Sequence, residues 1–115
     1  MSGERDTDAA LDLLGLALRA GRLAVGTHAV KDAARRDELL AVVIARDATE
    51  NARDRVMPLL SAKGVSVVEC DSAARLGRAV GRHRVVVAGL TDAGFARGVL
   101  AVLPPAAGRN RTENE

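Results

Sequence analysis

The run Leu39-Leu40-Ala41-Val42-Val43-Ile44-Ala45 decides the fold of this chain. It is continuously apolar and carries no polar face, and its length suits a strand better than a core helix. A run of this kind, bounded here by Glu38 and Arg46, reads as a central strand covered on both sides. Its flanks are therefore expected to supply helices.

They do. Toward the N-terminus, Thr27 caps a helix reaching about Arg36, with Val30, Ala33 and Ala34 turned inward. A short extended piece, Arg22–Val25, closed by Gly26, precedes it. Before that, Leu11, Leu14 and Leu18 recur at helical spacing with Leu13, Leu16 and Ala17, from a cap at Thr7 to a stop at Gly21. Toward the C-terminus, Asp47-Ala48-Thr49 turns the chain into a helix over about 50–62. Pro58 is expected to kink it or split off its first turn, and Lys63-Gly64 to end it. Val65–Glu69 reads as a strand, and Asp71 or Ser72 caps a helix to about Val80, ended by Gly81. Arg82-His83-Arg84 leads into a strand over Val85–Ala88, and Thr91 caps a last helix to about Leu103, stopped by Pro104-Pro105.

Helices and strands alternate, which defines an α/β protein with a sheet between helix layers. One domain over residues 8–103 is expected, with a disordered lead over 1–7 and a disordered polar tail over 104–115.

Of the 115 residues, 48% are hydrophobic, yet Phe95 is the sole aromatic of the Phe, Trp and Tyr type. The core must therefore be aliphatic. Proteins that hold single-stranded nucleic acid by base stacking need aromatic platforms, and with Phe95 as the only candidate that class fits poorly. Seventeen side chains are Lys or Arg, and all but Lys31 and Lys63 of these are Arg, whose planar fork suits phosphate and base edges. Cys70 is the single cysteine, so no internal disulfide forms, and a reducing cytoplasm is the expected compartment. No apolar run has the length of a membrane span.

Catalysis finds little support. Cys70, His28, His83, Asp47 and Asp71 form no recognisable nucleophile–base pattern. Metal-ligand spacings, a dinucleotide-binding glycine loop and a phosphate-loop lysine motif are all missing. The chain is expected to be no enzyme and to use no cofactor or metal. A binding surface is better marked. Gly26-Thr27-His28-Ala29 opens a helix with free backbone N–H groups, a ready site for anions or carbonyl-rich base edges. Lys31 and Arg35 ride one face of that helix, and Arg22 stands before it. Gly81-Arg82-His83-Arg84 forms a second glycine-led basic segment, and Arg75, Arg78 and Arg82 line up as a stripe. If both segments meet at one end of the sandwich, they make one basic cleft.

Several strings, in this order and spacing, resemble the kink-turn RNA-binding ribosomal-protein superfamily, in particular its small bacterial members of the YlxQ and YbxF type. They are Leu13-Leu-Gly-Leu-Ala-Leu-Arg-Ala-Gly21, Val25-Gly26, Val42-Val-Ile-Ala-Arg-Asp47-Ala, Leu76-Gly-Arg-Ala-Val-Gly81 and Val85-Val-Val-Ala88. The resemblance covers about residues 11 to 103. It implies a three-layer α/β/α sandwich with a central four-stranded mixed sheet, binding structured RNA at a kink without catalysis. The RNA-binding residues it implies are Gly26, Thr27, His28, Lys31, Arg35, Gly81, Arg82 and Arg84. The expected ligand is kink-turn or ribosomal RNA, the expected setting the ribosome, and the expected state a monomer away from membranes. Better-known members read Gly-x-Asn-Glu-x-x-Lys at the second helix, where this chain has Gly26, His28, Ala29 and Asp32. Ala73 replaces the family's basic residue ahead of Leu76-Gly77. These departures motivate an alternative, a protein-interaction module of the same fold with an eroded RNA site.

Overall fold

The computed structural model describes residues 2–106. These form α1 (Ser2–Arg19), β1 (Leu23–Val25), α2 (Thr27–Arg35), β2 (Ala41–Ala45), α3 (Glu50–Ala62), β3 (Val67–Cys70), α4 (Ala73–Ala79), β4 (Val87–Leu90) and α5 (Ala93–Val102). The strands make one sheet in the order β1-β4-β2-β3. β2 runs parallel to β3, and β4 runs antiparallel to both β1 and β2, so the sheet is mixed.

The decisive run behaves as a doubly covered strand must. Successive side chains of a strand point to opposite faces. Ala41, Val43 and Ala45 pack with Leu14 of α1, Leu76 of α4 and Val99 of α5. Val42 and Ile44 pack with Val30 of α2 and with Val56 and Leu60 of α3. Each valine or isoleucine so buried contributes about 1.5–3 kcal/mol relative to an exposed one. The result is the expected three-layer sandwich, with α1, α4 and α5 on one face and α2 and α3 on the other.

Several boundaries differ from the sequence expectation. Residues 2–7, expected as a disordered lead, are the first turns of α1, so Thr7 lies inside the helix. Pro104–Ala106, expected in the tail, instead lies along the outer edge of β3. The Glu69 N–H donates to the Pro104 carbonyl, and the Ala106 N–H donates to the Val67 carbonyl, both at 2.9 Å. A proline suits that edge because it needs no donor there. The remainder of the expected tail, 107–115, lies outside the described residues. α3 continues through Pro58 as one helix rather than breaking.

The last strand begins at Val87, two residues later than expected, and includes Gly89. A Cβ on Gly89 would stand 2.5 Å from Leu39 Cδ2, so the glycine is there to admit Leu39 rather than to end the strand. Asp92, not Thr91, caps α5, accepting from the Phe95 N–H at 3.0 Å. Thr27 is likewise the first residue of α2 and not its cap, a role taken by Gly26.

Candidate nucleic-acid interface

The sheet order gathers several chain ends at one edge. Because β1 and β4 are antiparallel, Val25 lies opposite Ala88, and the Gly26 N–H donates to the Val87 carbonyl at 2.9 Å. The ends of β2 and β3 reach the same edge: the Ala45 N–H donates to the Val86 carbonyl, and the Arg46 N–H to the Cys70 carbonyl, both at 2.9 Å. The first turns of α2, α3 and α4 therefore share one end of the molecule with the entry to β4.

Gly26 makes the turn from β1 into α2 at φ 94° and ψ 165°, a backbone state that a side chain resists. Thr49, Ser72 and Asp92 side chains cap α3, α4 and α5, whereas the N-terminus of α2 has no side-chain cap. Its first N–H groups are left to an external acceptor. His28 stands here with its side chain 93% exposed, its Nε2 3.3 Å from Asp32 Oδ2. Arg35 Nη1 lies 3.3 Å from the other oxygen of Asp32. The acid at this position is thus flanked by His28 and Arg35. Thr27 and Lys31 are half-buried, and Lys31 makes no ion pair among the described residues.

The second expected segment divides. Gly81, at φ 75°, ends α4: its N–H donates to the Arg78 carbonyl, while the Arg82 N–H donates to the Gly77 carbonyl at 2.8 Å. The chain then folds back along α4 until the Val85 N–H reaches the Ala73 carbonyl at 3.1 Å. Gly81 and Arg82 therefore stand one length of α4, roughly 10 Å, from the sheet end, and Arg84 to Val86 close that gap. Arg82, His83 and Arg84 are exposed and make no ion pair among the described residues.

The expected basic stripe does not form. α4 stops before Arg82, and Arg75 is held by Asp71 at 2.6 Å and by Asp8 of α1. The Asp71 hydrogen bond is the chief reason that the Arg75 guanidinium binds its proton more tightly than usual.

Cys70 is buried at the end of β3, and burial pushes its thiol up to about 11. A thiol above its ordinary value of 9.0 is a poor nucleophile at neutral pH, consistent with a small core side chain. The neutral form is the one the fold favours. Its contribution to stability should be intact below pH 9 and decline as pH rises toward 11. Thiol labelling at pH 8 should accordingly follow global unfolding in a urea series. Fast labelling in the absence of urea would contradict this burial. Among the described residues, no group of three or more His, Cys, Asp or Glu gathers as a metal site. Nor is any described helix long and apolar enough to cross a membrane.

Sequence reasoning missed a charged network at this same end. Glu69, on β3, has a side chain 8% exposed, with Oε1 3.3 Å from Arg46 Nε and Oε2 3.6 Å from Arg53 Nη2. Arg53 also donates to the Arg46 carbonyl at 3.1 Å and to the Ala45 carbonyl at 3.4 Å. A signal was available: Arg53, Val56 and Leu60 fall at i, i+3 and i+7, which places an arginine on the inward stripe of α3.

Residues 8–99 match the ribosomal protein L7Ae/L30e/S12e/Gadd45 family, and the chain belongs to it. Within that family it is similar to the RNA-binding protein YlxQ of Enterococcus faecium, 34% identical over 94 residues, covering 82% of this chain and 90% of that protein. RNA-binding protein YlxQ of Bacillus subtilis (strain 168) is 33% identical over 91 residues, 79% of this chain and 91% of its own length. Among solved structures, a Bacillus halodurans protein of unknown function superposes with a TM-score of 0.75 at 33% identity, over 81% of this chain and 94% of its own. The Giardia lamblia 15.5kD RNA binding protein shares the fold, with a TM-score of 0.72 at 21% identity over 85% of this chain and 84% of its own.

Proposed function

We propose that this protein is a non-catalytic, monomeric RNA-binding protein of the bacterial cytoplasm that recognises structured, kink-turn-like RNA, with ribosomal RNA as the favoured partner. The observation that carries the reading is the direct bond from Gly26 to Val87, which sets the open N-terminus of α2 beside the strand that Arg84 leads into. Family membership and the names of its relatives support the same reading. Gly26, Thr27 and His28 offer backbone and side-chain donors to a kinked backbone or a purine edge. Lys31, Arg82 and Arg84 supply charge to the flanking phosphates, with Arg35 behind Asp32 and Gly81 setting the course of the loop. Recognition of this kind reads shape and backbone, so a chain with almost no aromatic side chains can perform it.

Titration against a kink-turn duplex and a matched duplex that cannot kink tests the reading. Preferential binding to the kinked RNA is expected, with log affinity falling against log salt by roughly one unit of slope for each phosphate contacted. Equal, weak binding to both duplexes, erased by moderate salt, would overturn it. Ala29 and Asp32, which weaken the anion site, favour a second reading as a protein-docking module. Co-purification of a specific protein partner without crosslinked structured RNA would decide for it.

A further inference from the structure

Resting on the RNA-binding reading, we infer that Arg46 is a further RNA-backbone contact of this site and that buried Glu69 is its positioning residue. Arg46 follows the last residue of β2, whose N–H bonds to Val86 on the loop side of β4. Val87, the next residue, accepts the Gly26 N–H, so Arg46 and the α2 turn flank one strand entry. Strand alternation sends the Arg46 side chain to the face that carries α2 and α3, the same face as Ile44 and its partner Glu69.

The charges point the same way. Glu69 is nearly buried between two guanidiniums, so the trio carries one surplus positive charge. Arg53 is itself enclosed, with a side chain 10% exposed, whereas Arg46 is 62% exposed. The surplus therefore reaches solvent through Arg46, whose Nε is held by Glu69 while its terminal nitrogens have no partner among the described residues. An arginine fixed by one edge and open at the other is prepared for a phosphate with little further loss of side-chain freedom. Nearby acids are mostly engaged elsewhere. Asp47 accepts from the Ala73 N–H at 2.9 Å, Asp32 faces His28 and Arg35, and Asp71 holds Arg75. Glu50 and Asp54 of α3 are exposed and make no ion pair among the described residues.

Glu69 separates positioning from bulk charge. Arg46→Gln should weaken binding to a kink-turn duplex by about three- to tenfold and lower the salt slope by about one unit. Glu69→Gln removes a negative charge, so electrostatics alone would tighten binding; positioning predicts weaker binding instead. Both variants are compared with Arg84→Gln, after a urea melt has identified a concentration range in which each is folded. Unchanged affinity and slope in Arg46→Gln, with Arg84→Gln weakened, would overturn the Arg46 contact and leave the RNA-binding reading standing. Tighter binding by Glu69→Gln would overturn the positioning role. Failure of the wild-type chain to prefer the kinked duplex would remove both the inference and the reading beneath it.

Discussion

Arg53→Met should destabilise the fold by about 3 kcal/mol, seen as a lower urea midpoint with an unchanged m value. Glu69 would lose the enclosed guanidinium 3.6 Å from its Oε2, while two backbone carbonyls at the end of β2 would lose a donor. Arg46 would still hold Oε1 of the carboxylate, which keeps the cost at the lower end of the range for a broken buried pair. The double variant Arg53→Met/Glu69→Leu should recover most of the loss, because replacing a whole buried pair by apolar groups is often close to neutral. A double-mutant cycle therefore gives a coupling of about 1–3 kcal/mol. A single-variant cost below about 0.5 kcal/mol would mean that the network adds nothing to folding.

That network marks the boundary of what the sequence made legible. The run from Leu39 to Ala45 disclosed a central strand, because two-sided burial leaves a local signature that no partner is needed to read. Its neighbours yielded to the same logic wherever apolar period and cap agreed, as in α3 with Thr49 and α4 with Ser72. Misreadings came where a distant contact outweighed the local sign. The last strand, expected over Val85–Ala88, runs on through Gly89, where Leu39 occupies the space of the missing Cβ. Arg75 looked like part of a basic face until Asp8, far away in sequence, was brought against it. The pairing of Glu69 with Arg53 exists only after β3 and α3 have packed. For the candidate interface, both glycine-led segments were visible. How far apart they stand was not, because it depends on the chain folding back along α4.

The return of that loop rests on Gly77, and its replacement should have the largest effect on binding. A Cβ on Gly77 would lie 2.7 Å from both the Cα and the N of Arg84 and 2.9 Å from the carbonyl carbon of His83. These are backbone atoms, so no side-chain rotation relieves the clash, and the 82–84 segment must lift away from α4. The helix itself gains from the change, since alanine is favoured over glycine inside a helix by about 1 kcal/mol. Against that stands overpacking of about 1–3 kcal/mol, leaving Gly77→Ala folded and at most modestly destabilised. RNA affinity is less protected, because Arg82 and Arg84 sit on the displaced segment while His28 and Lys31 stay in place on α2. A loss of at least about tenfold for a kink-turn duplex is expected, or roughly 1.4 kcal/mol. The far-UV dichroism should be unchanged and the salt slope shallower. Wild-type affinity in Gly77→Ala would show that the α4–β4 loop does not hold the RNA, and would confine the interface to the α2 turn and the end of β2.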